Sequence, residues 1–168
     1  MKTVIVLAMH GSPPRDFPRR ELAEFFQLHA QAEASPRQQQ PLSGRYALLD
    51  KKMREWPRNA HNDPFFAASE ELAERLSEAT GCQVLAGYNE FCAPSLEQAV
   101  QSAVDSEADR VIIATPMMTR GGKHSEKDIP AMVNNFSLSY PEVKFVYAWP
   151  FDSARIARFL AEHISAFE

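Results

Sequence analysis

RVIIATPMMTRGGKHSEKDIP, residues 110–130, is the stretch on which the fold turns. It opens on the buried-looking run VIIA and passes through a polar loop holding Gly121, Gly122 and His124. It ends on a helix start in which Asp128 reads as the N-cap ahead of Ile129 and Pro130. A strand that runs straight into a helix is half of a parallel crossover.

Three other short apolar runs match it: TVIVLA from residue 3, CQVLAGY from 82 and VKFVYA from 143. Between them apolar residues recur every three to four positions. The best-marked helix has Asp63 as N-cap, Pro64 at its first position, Leu72, Ala73, Leu76 and Ala79 on one face, and Gly81 as its stop. A second starts around Pro94, carries Leu96, Ala99, Val100, Ala103 and Val104, and ends before Asp109. The last follows Asp152 with Ile156, Phe159, Leu160 and Ile164. Strands alternating with helices predict an α/β domain, a parallel sheet with helices on both faces joined by right-handed crossovers.

The first and second strands are about seventy residues apart, far more than one crossover needs. Leu22, Phe25 and Phe26 predict an amphipathic helix after Pro18, ending near Ser35 and Pro36. The low-complexity RQQQPLSG follows. RYALLDKKMREW then has helical spacing at Tyr46, Leu49 and Met53 and halts at Pro57. Residues 36–62 are expected to be a helical insertion, a lid or dimer arm, within one domain spanning 1–168.

Composition agrees with one globular unit: 168 residues, 45% hydrophobic and 24% charged. A net charge of −4 gives no footprint for nucleic acid or an anionic membrane, so neither is expected as a partner. VIVLA is too short for a signal peptide or a span, and a cytoplasmic protein is expected. Cys82 and Cys92 form no CxxC pair and read as free thiols rather than a disulfide or thiolate metal site.

In an open parallel sheet, ligands bind beyond the carboxyl ends of the strands, where crossovers diverge. In the order 2-1-3-4 that point lies between strands 1 and 3. His10 follows strand 1, His124 follows strand 3 and Glu90 follows strand 2, so two imidazoles and a carboxylate are expected to converge. Such a set suits a divalent first-row metal and also handles protons. Glu90 has an equal alternative as a charge at the N-terminus of the second helix. Residues 10–20 carry a local charge of +2 through Arg15, Arg19 and Arg20, and 117–128 carry +1 through Arg120, Lys123 and Lys127. These loops would attract carboxylates or phosphates, or else form a solvated rim. Gly122 would allow close backbone approach to a ligand, or merely a tight loop. His29 and His163, on helix stripes, are expected to be packed or capping residues, and His61 to sit in a turn or a helix approach.

The strand ending in HGS, then YNEFCAPSLEQAV, VIIATPMMTRGGKHSEKDIP and VKFVYAWPFDSARIARFL, in this order, resemble the CbiX-type sirohydrochlorin chelatases. The resemblance covers residues 1–15 and about 64–168. It implies a chelatase-like three-layer α/β domain, a four-stranded parallel sheet in the order 2-1-3-4 with helices on both faces, that inserts cobalt or ferrous iron into sirohydrochlorin, towards cobalamin or sirohaem, with no organic cofactor: the divalent metal is a substrate. His10 and His124 fall on the family's paired active-site histidines, and Glu90 on its acidic position. Ser12, Arg15, Arg120, Gly122 and Lys123 would contact the tetrapyrrole, and a chain of this length implies a homodimer. Two other classes stay open: a carrier of metal or tetrapyrrole without turnover, and a phosphoryl-transfer enzyme with a histidine nucleophile. Met9 stands where the latter would place an arginine beside the histidine.

Overall fold

The structure is a computed structural model and describes residues 1–34 and 44–167. The four expected strands are present: β1 (Thr3–Met9), β2 (Gln83–Tyr88), β3 (Arg110–Ala114) and β4 (Lys144–Tyr147). They form one parallel sheet in the order β2-β1-β3-β4. The helices are α1 (Arg19–Ala34), α2 (Gly44–Arg54), α3 (Pro64–Thr80), α4 (Leu96–Asp105), α5 (Ile129–Ser139) and α6 (Ser153–Ser165).

Alternation along β1 sets the layers, because successive side chains point to opposite faces. Val4, Val6 and Ala8 join Val111, Ile113 and the α4 and α5 residues Leu96, Val100, Ile129 and Met132 in the larger core. Leu7 and Met9 face the other way, onto Ala73, Leu76 and Phe66 of α3. A third cluster lies apart from the sheet. Phe17 and Phe25 pack with Leu49 and Met53 of α2 and with Phe91, just past β2.

The cap signals are met closely at α3. Asp63 accepts from the backbone of Phe66, and Gly81 takes the left-handed conformation at φ 67° that ends the helix without a Cβ penalty. At α4 the cap is Ser95 rather than Pro94, in a reciprocal capping box with Gln98.

Two expectations are corrected. Asp128 is not a plain N-cap. Its backbone is already helical and caps nothing, because the chain makes a five-residue π turn, His124–Asp128, before α5. His163 is not packed in a core, since no residue of α6 is buried and Phe159, Leu160 and Ile164 are 54%, 47% and 57% exposed. The apolar period marks which face is sticky and carries no information about what covers it. Within the expected insertion, α2 folds back on α1, and Trp56 donates to Asp16 at 2.9 Å. The low-complexity stretch 37–43, like the end of α1 near Ser35 and Pro36, lies outside the described residues.

Candidate metal centre

The carboxyl edge of the sheet gathers three loops. Past the ends of β1 and β2 the two chains stay hydrogen-bonded, Asn89 N to Met9 O and Glu90 N to His10 O, both at 2.9 Å. Gly11, at φ 100°, lies so close that a Cβ there would come within 1.8 Å of the Glu90 carbonyl oxygen. Glycine alone lets the loop after β1 lie against the loop after β2.

His10 leaves the end of β1 with its side chain 49% exposed, while His124 enters from the π turn after β3 and is 15% exposed. Their rings meet edge to face, with centroids 5.0 Å apart. Glu90 lies between them, Oε2 3.9 Å from His10 Nε2 and Oε1 3.6 Å from His124 Nε2. One ligand atom from each residue falls within 4.8 Å of the others.

Hydrogen bonding on the far side of each ring fixes what that group can do. His10 Nδ1 is 3.0 Å from the carbonyl oxygen of Gly11, which can only accept, so Nδ1 carries the proton. His124 Nδ1 is 2.8 Å from the Asp128 carboxylate, with the same result. In the neutral rings both Nε2 lone pairs are therefore free and turned towards Glu90. A carboxylate orienting a histidine in this way is a familiar support for a metal ligand. Two ligands at about 2.1 Å from one ion can stand up to about 4.2 Å apart, and the 3.6 and 3.9 Å separations fall inside that span.

The π turn is what brings His124 here. Its widened hydrogen bond runs from Ile129 N–H to His124 O. It is braced from below by Ser125, fully buried, whose carbonyl accepts from Tyr147 Oη at 3.0 Å. Burial pushes the Tyr147 phenol up to about 12, so this donor keeps its proton. A recess of about 460 Å³ opens beside the centre, lined by Glu90, Glu97, Lys123, His124, Asp128 and Asn135 among others.

The remaining expected residues are spread more widely. Lys123 lines the recess; Arg15 and Arg120 are exposed and do not. Neither arginine has an acidic partner within 4.0 Å among the described residues. The Ser12 hydroxyl makes only a 3.4 Å contact to Pro13 O. At Gly122 a Cβ would come within 2.8 Å of Ser125 Oγ, so local packing also favours glycine there. His29 is held inside the α1–α2 pair, 2.9 Å from Tyr46 Oη and stacked on Phe25, and His61 occupies a turn, as expected.

Sequence reasoning missed Asp128 as the partner of His124. The signal was present in the spacing of four between them, the spacing of neighbours on a helical turn, but the helix was taken to begin at Asp128.

The family described as CbiX matches residues 61–166, more than half of the chain. A sirohydrochlorin cobaltochelatase of Methanopyrus kandleri is 31% identical over 65 residues, 38% of this chain and 45% of that protein. A sirohydrochlorin ferrochelatase of Priestia megaterium is 30% identical over 79 residues, 46% of this chain and 29% of that protein. The chain thus spans less than half the length of these curated relatives. A crystal structure of a CbiX protein from Marinobacter aquaeolei VT8 superposes with a TM-score of 0.52 at 19% identity, covering 98% of this chain and 95% of that one, a likeness of fold.

Proposed function

This chain belongs to the CbiX family, and from that premise we propose that it inserts a divalent metal, cobalt or ferrous iron, into sirohydrochlorin or a related tetrapyrrole. The observation that carries the reading is the convergence of two free imidazole Nε2 atoms and one carboxylate on a single point. The names of the two relatives support the substrates.

The chemistry follows from what insertion requires. A tetrapyrrole takes up a divalent cation only when two pyrrole protons leave and the cation sheds its other ligands. Imidazole and carboxylate bind such cations without the tenacity of thiolate. Two imidazole ligands would leave the remaining positions for the macrocycle. His10 and His124 hold the metal, and Glu90, in reach of both, accepts or relays protons. Lys123 at the recess, with Ser12, Arg15, Arg120 and Gly122, would meet the macrocycle and its carboxylates. No organic cofactor enters this scheme.

Glu90 also weighs against the phosphoryl-transfer reading, since a carboxylate wedged between the two histidines would repel a phosphate dianion. The partner we infer is a second copy of the chain. Its support is the amphipathic α6, whose apolar stripe stays largely exposed among the described residues, with Phe159, Leu160 and Ile164 in solvent. Among the described residues no helix is long and apolar enough to cross a membrane.

The test is an absorbance assay with protein, sirohydrochlorin and Co²⁺ or Fe²⁺. Multiple turnovers are expected. Stoichiometric binding without turnover would make the protein a carrier, and the absence of both would overturn the reading.

A further inference from the structure

Arg58 lies between α2 and α3, outside the segment that matches the family, yet its guanidinium reaches both site loops. It is 4% exposed and pairs with Asp63, itself 1% exposed. Nη1 donates to the carbonyl of Ser12 at 2.7 Å, and Nη2 donates to the carbonyls of Met53, at 3.1 Å, and of Phe91. Ser12 follows His10 by two residues. Phe91 follows Glu90 directly and sits at φ 61°, a conformation an L residue holds only when its surroundings impose it. Arg54 completes the grip, donating to the carbonyls of Asn89 at 3.3 Å and Cys92 at 3.2 Å.

A buried ion pair is a poor device for stability alone, because an apolar pair of similar volume often serves as well. An apolar side chain cannot join four acceptors from separate segments, whereas the planar five-donor fork of arginine can. Since Asp63 neutralises it, Arg58 adds little field at Glu90, and its effect is geometric.

We infer that Arg58 is a positioning residue for the metal centre, supplied by the segment between α1 and α3 and fixing His10 and Glu90 through the carbonyls of Ser12 and Phe91. This rests on the metal-binding reading above. The segment thereby acts as a buckle across two site loops.

Arg58→Lys keeps the charge opposite Asp63 but cannot span the four acceptors. The full-length protein is titrated with Co²⁺ and followed by visible absorption, with circular dichroism to monitor the fold. Arg75→Lys, in an exposed pair on α3, serves as control. The expected result for Arg58→Lys is a retained fold, Co²⁺ affinity about tenfold weaker and an altered ligand-field band, with the control unchanged. A folded Arg58→Lys with wild-type affinity and band overturns the inference.

If the variant does not fold, amide exchange in the wild type answers the same question. Coupling is reciprocal, so Co²⁺ must slow exchange across residues 53–63 as well as in the site loops. Protection confined to the loops overturns the inference. A wild type without any Co²⁺ band overturns the metal-site reading and this inference together, while a normal wild-type band beside an unchanged variant overturns this inference alone.

Discussion

The Asp128 carboxylate holds His124 Nδ1 at 2.8 Å, so removing it frees the ring to rotate and to change tautomer. Asp128→Ala is expected to weaken Co²⁺ binding or turnover by about 10- to 100-fold with the fold unchanged, as read by Co²⁺ titration. His124→Ala removes a ligand from a polar turn rather than a core side chain. Metal insertion should fall by about 10² or more while the denaturant midpoint stays close to wild type. Coincident loss of both would assign His124 to the fold instead. The convergence of both histidines and Glu90 was legible in the sequence because each lies in the segment between a strand and its following helix, and a parallel sheet brings such segments to one edge. Asp128 and Arg58 were not. The first was masked by the proline two residues on, which reads as a helix start, and the second makes its contacts through backbone carbonyls that leave no mark on residue type.

Among the elements, β1 and β2 with α3 are the most sharply specified. Tyr88 and Cys92 are buried beneath α3. Burial drives the Tyr88 phenol far up, and the Cys92 thiol from 9.0 to about 11. Groups raised in this way stabilise the fold fully below the pKa of the unfolded chain and lose that contribution as pH climbs through the folded value. Stability is therefore expected to drop between about pH 9 and 12 in denaturant titrations, and thiol reagents at neutral pH should modify the partly exposed Cys82 well before Cys92. The Asp63 cap was readable from Asp-Pro, but its second role as the counter-ion of Arg58 was not. Asp63→Ala should cost about 3–5 kcal/mol, more than a cap alone, because it leaves a buried guanidinium unpaired. A loss near 1 kcal/mol would show the pair to be unimportant.

At the scale of the molecule, the parallel sheet with its helices on both faces was legible from the alternation of strands and helices, and the crevice followed once the strand order was given, whereas the fate of the last helix was not legible. A 13-residue helix is marginal by itself in water, and α6 buries nothing at home. Its Arg155 and Arg158 suit the strongly acidic α3 of another copy, with Glu70, Glu71, Glu74 and Glu78. The wild type is expected to sediment at twice the mass of one chain, and Phe159→Glu with Ile164→Glu at the mass of one. A monomeric wild type would remove the second copy from the scheme. The π turn has a consequence of its own. It is an α-helical turn holding one surplus residue, and excising that residue would let α5 wind back unbroken to Gly122 while swinging the residue at 124 about a quarter-turn around the axis. The helix would survive and the proposed ligand would point elsewhere, so the proposed grip on a cation would depend on a single peptide unit of excess length.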